Sequence, residues 1–329
     1  MELSALGEFG LIEFIKKREL KNKRSDLIVG IGDDAAVLRM SNDKPCLPAG
    51  RCQISNKILK SKIKNKYILI TTDALIEGVH FRLKNKKKQF FNIGYKALAA
   101  SISDISAMGG YPTHALATIA IPKKIGFKQI LDIYKGIDSL ARKYKIDLIG
   151  GDTVSSRHDL MVSMTLMGEV EKANLLTRSG AKVGDLICAT GKFGGSAASN
   201  YADLPIIRQF EALKIAKSKI ATSMIDSSDG LVRSILEICK RSNCGAKITN
   251  VPTAKGASFK QALYGGEEYE LIFTVPKNKY NNLKATKIKF EMIGEIIEGK
   301  LKIQLTSQYG RIISIKSGGY EHFKQKTSS

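Results

Sequence analysis

The sequence predicts a two-domain α/β protein. Three observations carry that expectation: 329 residues at 43% apolar content are enough for two cores, apolar runs of strand length alternate with stretches of helical spacing, and the alternation starts afresh after "TVSSRHD", residues 153–159. The expected domains are therefore 1–155 and 156–329.

Taken in order, "LSALGEFGLIEFIKK" has the spacing of an amphipathic helix, with Ser4 suited to its N-terminal end. "DLIVGI" and "AAVLRM" read as strands on either side of a Gly32-Asp33-Asp34 turn. Residues 41–66 are polar, carry Pro45, Pro48 and Gly50, and read as a long surface insert before the strand "YILITT". "FFNIGYKALAASISDISAMGG" is a helix stopped by Gly109-Gly110, "THALATIAIP" a strand, "FKQILDIYKGIDSLARKYK" a helix, and "IDLIGGDT" a strand entering a glycine turn. The second half offers the strands "LMVSMTLMGEV", "GDLICATG", "SMIDSSDG" and "YELIFTVP", with helices from about 194 and about 229.

Composition excludes several classes. The N-terminus has no basic region followed by a continuous apolar one, and no run approaches the roughly 20 apolar residues of a membrane span, so the expectation is a soluble, cytoplasmic chain without membrane partners. Five cysteines form no CxxC pair, and four histidines are scattered, which excludes a disulfide framework and a Cys/His metal centre. The net charge of +22 would attract polyphosphates or nucleic acid. Its lysines, however, are spread along the chain with little aromatic interleaving, which predicts a solvated basic surface and no nucleic-acid partner.

Acids mark the ends of apolar strands: Asp33, Asp34, Asp73, Asp152, Asp226 and Asp229, joined by Asp104 on a helix of alanines and serines. Any one of them alone reads as a turn former, and Asp229 as a helix cap. Buried anions are costly unless paired or bound to a cation, and no basic residue adjoins these motifs in sequence. Together the seven point to hard divalent cations such as Mg²⁺, which take carboxylates together with substrate phosphates.

A P-loop is absent. "GEIIEGKL", residues 294–301, fits GxxxxGK but has Leu301 where a hydroxyl should reach Mg²⁺, and reads as a hairpin turn. Better phosphate-contact candidates are "GKFGGSAA", residues 191–198, and "LTRSGAKVGD", residues 176–185, where Arg178 could grip a phosphate or sit on the surface.

The ordered set "GEFGLIEFI", "GIGDDAAVL", "TTDALIEGVHF", "YKALAASISDISAMGGYP", "LIGGDT", "LTRSGAKVGD", "IDSSDGL", "GGEEYEL" and "GYEHF" resembles the thiamine-monophosphate kinase family, from residue 7 to 323. That family lies in the aminoimidazole ribonucleotide synthetase-like superfamily. The resemblance implies its two-domain fold, with a dimerising N-terminal mixed sheet and a C-terminal α/β domain. It also implies in-line phosphoryl transfer from ATP to thiamine monophosphate, with Mg²⁺, K⁺ and a homodimer. Matched by motif, Asp34, Thr71, Thr72, Asp73, Asp104, Asp152, Asp226 and Asp229 are implied Mg²⁺ ligands. Tyr134, Gly151, Arg178 and Ser228 are implied ATP contacts, and Asp152 faces ATP through its ion. His80, Glu267 and Tyr320 are implied to hold thiamine monophosphate. The chain departs from the family in its long 41–66 insert and in a short 199–222 segment without an "HxxPxPR"-like element. Two rivals stand beside this reading: another ATP-using enzyme of the superfamily, and a basic RNA-binding protein that has lost catalysis.

Overall fold

The computed structural model describes residues 7–8, 10–14, 26–39, 65–84, 88–306 and 312–315. The expected insert lies almost entirely outside them, as does Ser4, and its last residue, Lys66, already belongs to a strand.

The first half builds β1 (Leu27–Val29), β2 (Ala36–Arg39), β3 (Lys66–Ile76), α1 (Gln89–Ala107), β4 (Tyr111–Pro122), α2 (Phe127–Tyr144), β5 (Asp147–Ser156) and β6 (Met161–Glu171). Among the described residues these strands form a six-stranded sheet in the order β1-β2-β3-β6-β4-β5. All neighbours are antiparallel except β4 and β5, which α2 joins as a crossover. Two expectations shift here. "GGDT" is no turn: β5 runs through it to Ser156. The break expected at 153–159 covers the end of β5 and part of its link to β6, two strands of one sheet, because β6 lies between β3 and β4; by strand pairing the first sheet ends at Glu171.

Helix α1 organises the core. Leu98, Ile102, Ile105 and Met108 are fully buried and, with Val162, Met164 and Leu166 of β6, fill the space beneath the sheet. Each such side chain contributes about 1.5–3 kcal/mol by leaving water. The helix also crosses α2 at very short range: a Cβ on Gly94 would stand 1.9 Å from the Ile133 carbonyl oxygen. The C-terminal end of α1 enters a separate core, where Ala107 packs with Leu186, Cys188, Ala212, Ile215 and Phe273. One helix therefore belongs to both halves.

The second half builds β7 (Asp185–Ala189), α3 (Gly195–Ala198), α4 (Gln209–Ser218), β8 (Ser223–Asp226), α5 (Leu231–Ser242), β9 (Gly245–Ile248), α6 (Phe259–Tyr264), β10 (Leu271–Pro276), α7 (Tyr280–Lys284), β11 (Glu291–Ile297), β12 (Ile303–Thr306) and β13 (Ile312–Ile315). Its sheet runs β13-β12-β9-β11-β7-β10-β8, with only β9 and β12 parallel. "GEIIEGKL" joins two strands as expected, but they are not hairpin partners, since β9 lies between them. The helix expected from 194 is one short turn. Helix α5 is capped by Gly230 without a side-chain bond, so Asp229 is not its N-cap.

Candidate active site

The "SISD" segment of α1, residues 101–104, faces acids from both sheets. Ser101 donates to Asp73 Oδ2 on β3 at 3.1 Å, Ser103 donates to Asp226 Oδ2 at the end of β8 at 2.6 Å, and Asp104 Oδ2 accepts from Thr71 of β3 at 2.5 Å. Strand alternation explains why Thr71 and Asp73 share a face and Thr72 does not. The Thr72 hydroxyl instead donates to the Met164 carbonyl of β6. Asp34, from the turn before β2, completes the group: Asp34, Asp104 and Asp226 each offer a carboxylate oxygen within 4.8 Å of the others.

Tertiary structure supplies the basic neighbour that the local sequence lacks. Arg178 donates to Asp34 Oδ1 through Nε at 3.0 Å and Nη2 at 2.5 Å. Its backbone N–H donates to Asp33 Oδ1 at 3.1 Å, so Asp33 holds the turn against the 176–185 loop. The guanidinium expected on ATP is thus engaged with a carboxylate. Burial works against its charge, yet Asp34, then Asp33 and Asp226, hold it firmly protonated.

One cation does not balance these acids. Burial, then the charge of Asp34, pushes Asp226 up to about 8 and Asp33 up to about 7. Burial likewise raises Asp34 and Asp73, and Asp104 goes well above the carboxylate range, with Asp73, Asp226 and Asp34 adding to the effect of burial. Asp34 Oδ2 is buried with no hydrogen-bond partner. An orphaned carboxylate oxygen among like charges is a costly arrangement that a hard, oxygen-seeking dication relieves, and the all-oxygen donor set is the one Mg²⁺ selects. The residues present fit such an ion.

The remaining expected residues divide. Asp229, pushed up to about 6 by burial and by Glu8, lies near Arg178 and Arg233 at the mouth of α5. Ser228 is exposed, and its carbonyl accepts from the Glu267 N–H at 2.7 Å, which places both beside the β8 end. His80 accepts at Nδ1 from the Ile76 N–H at 3.0 Å, so its neutral ring carries the proton on Nε2, a donor suited to a phosphate oxygen. Asp152 stands on exposed β5, opposite Thr118, and its carboxylate accepts from the Thr153 N–H; it is not one of the three clustered acids. Gly151 has a packing reason of its own: at φ 152°, its Cβ would stand 1.8 Å from the Ala117 carbonyl oxygen. Tyr134 lies on α2, lining a cavity of about 730 Å³ with Ile137, Arg142 and Leu148. Tyr320 lies outside the described residues.

Sequence reading missed four participants. Ser101 and Ser103 could have been suspected as polar positions within an apolar helix. Lys96, which bonds Glu267, and Arg208, which forks onto Glu270 at 2.7 Å through both Nε and Nη2, act across sequence gaps that no local pattern reveals. Glu268 accepts from the Ser196 N–H at 2.9 Å, so the "GKFGGSAA" loop expected to meet phosphate already holds a carboxylate.

Comparison with known proteins agrees with this construction. Residues 32–170 match the model of AIR synthase related protein, N-terminal domain. The thiamine-monophosphate kinase of Bacillus subtilis (strain 168) is 33% identical, over 97% of this chain and 100% of that protein. That of Escherichia coli (strain K12) is 31% identical, over 97% and 99%. Among solved structures, AaThiL complexed with AMPPCP and TMP superposes with a TM-score of 0.74 at 28% identity, covering 98% of this chain and 99% of that one. A full-length relationship at this identity, on a fold that gathers its acids at the junction of two sheets, makes this chain a member of the thiamine-monophosphate kinase family.

Proposed function

We propose that this protein transfers the γ-phosphoryl group of ATP directly to thiamine monophosphate, forming thiamine diphosphate and ADP. The observation that carries the reading is the convergence of Asp34, Asp104 and Asp226 in a member of this family. Phosphoryl transfer asks mainly for alignment and charge neutralisation. Asp34, Asp73, Asp104 and Asp226, with Thr71 and Asp229 beside them, would hold Mg²⁺; Thr72 and Asp152 join that set on their motif match alone. When bound, Mg²⁺ neutralises the facing phosphates and fixes them in line.

The chain's own residues then prepare and orient the site. Thr71, Ser101 and Ser103 fix the rotamers of Asp104, Asp73 and Asp226. Arg178 opposes the burial that raises Asp34 and holds its carboxylate in place. His80 and Glu267 flank the acceptor; Tyr134, Gly151 and Ser228 are assigned to ATP by motif. We further propose a homodimer through the first sheet, whose edge strand β5 has no partner on its outer side among the described residues and presents exposed Leu148, Ile149 and Val154. We take the enzyme to work in the cytoplasm, where ATP is at hand; no helix among the described residues is long and apolar enough to cross a membrane. The division into domains follows the sheets, near residues 172–184.

The test is an assay of purified protein with ATP, Mg²⁺ and K⁺, offering thiamine monophosphate and thiamine in parallel and separating products by chromatography. Thiamine diphosphate from the monophosphate alone is the expected result. No product from either, with ATP still bound, would reassign the acceptor within the superfamily.

A further inference from the structure

Lys96 lies on α1 two turns before Asp104, roughly 12 Å along the axis. Its ammonium donates to Glu267 Oε2 at 2.9 Å and to the Tyr201 carbonyl at 2.7 Å. Both partners belong to the second half of the chain. The contact is sheltered, with side chains only 13% and 20% exposed, and it gathers strained backbone. Asn200 (φ 51°) and Tyr201 (φ 58°) belong to one of the segments it joins, Glu267 (φ 61°) and Tyr269 (φ 54°) to the other, four of the ten non-glycine residues with positive φ among the described residues. Asn200 and Tyr201, like Lys145, Lys219 and Asn243, adopt this conformation at the C-terminal end of a helix, where it is ordinary, whereas Glu267 and Tyr269 adopt it in a loop. Strain at a ligand clamp persists when surrounding contacts over-determine it.

We propose that Lys96 is a positioning residue for the acceptor. It locks Glu267 and the 199–204 segment onto the helix that carries Asp104, and by occupying Oε2 it leaves Oε1 as the atom Glu267 offers a ligand. A cationic heteroaromatic phosphate ester is the class of acceptor this suits, since the free oxygen meets the ring and the adjoining acids meet the phosphate through their ions. The inference rests on the kinase reading above, and its reach is specific: Lys96 governs the acceptor, not ATP.

Steady-state kinetics of K96M, K96R and E267Q test it, with melting curves for each. Loss of the ammonium should raise KM for thiamine monophosphate about tenfold or more while kcat stays within about threefold and KM for ATP within about twofold. K96R should recover most of the loss, and K96M/E267Q should be no worse than the poorer single variant. An active wild type whose K96M form keeps its acceptor KM overturns the inference alone, as does a K96M that loses ATP affinity and melting temperature together. If K96M does not fold, K96Q, which keeps a donor for both partners without the charge, decides by the same acceptor KM. A wild type that makes no thiamine diphosphate overturns the kinase reading, and the inference with it.

Discussion

Two groups of acids lie close together in this molecule and are treated in opposite ways. Asp34, Asp73, Asp104 and Asp226 converge on one another, and Arg178 answers only the first of them. In "GGEEYEL", each of Glu267, Glu268 and Glu270 has its own donor: Lys96, the Ser196 N–H, and Arg208 with Thr190. Buried carboxylates answered by a cation or a backbone N–H tie chain segments together; Asp73, Asp104 and Asp226, answered only by the hydroxyls of Ser101, Thr71 and Ser103, still face each other and hold a place for a cation from outside. Both groups are carboxylates, and the partner each one meets separates the roles.

The sharpest way to break that comparison is Asp104→Asn. Turnover should fall roughly 10³-fold or more, the several kcal/mol of a damaged ion site. Melting temperature should hold or rise, because burial and the neighbouring Asp73, Asp226 and Asp34 already disfavour the charged form of Asp104 that Asn cannot adopt. A variant that keeps full activity would end the ion-site reading.

Arg208→Met probes the other group and should do the reverse. It strands Glu270, whose side chain is 7% exposed, and should cost about 3–5 kcal/mol in urea unfolding. A loss below about 1 kcal/mol would show that the second group is no structural tie.

Protonation offers a gentler separation. Burial, then the charge of Asp34, pushes Asp226 up to about 8 in the fold from an ordinary value of 3.8. Between those values the folded protein binds more protons than the unfolded one, so stability falls as pH rises through that window. In metal-free buffer the wild type should therefore lose more melting temperature between pH 5 and 8.5 than Asp226→Asn does. Equal slopes would contradict it. At the small end, Lys135→Ala removes an exposed helix pair with Asp132 and should stay within about 0.5 kcal/mol, a baseline for the larger effects.

Much of the fold was legible because local rules agreed with the outcome. The periodicity of α1 and α2, and the apolar runs of β4 and β6, give those elements nearly to their ends, whereas "YILITT" stops four residues short of the end of β3, which carries Asp73 inside the strand. The misreadings come from tertiary reasons. Gly150-Gly151 looks like a turn because glycines usually make one, but here the missing Cβ lets β5 close on Ala117. Polar "TVSSRHD" looks like a boundary, yet it only carries the chain back into the same sheet. Asp34, Asp73, Asp104 and Asp226 could be picked out as acids beside apolar segments. Arg178 as the answer to Asp34 could not, since 144 residues of sequence separate them.

The place of β6 has a kinetic consequence. Its Ser163 hydroxyl donates to the Asp73 carbonyl across 90 residues of sequence. At about 5–20 residues per second of synthesis, β3 waits roughly 5 to 20 s for that neighbour. The strand made last in this sheet is an interior one, so β3 and β4 both leave the ribosome with an open apolar edge. The nascent chain passes through its most aggregation-prone interval just before Glu171 emerges, and a ribosomal pause or a chaperone would matter most there.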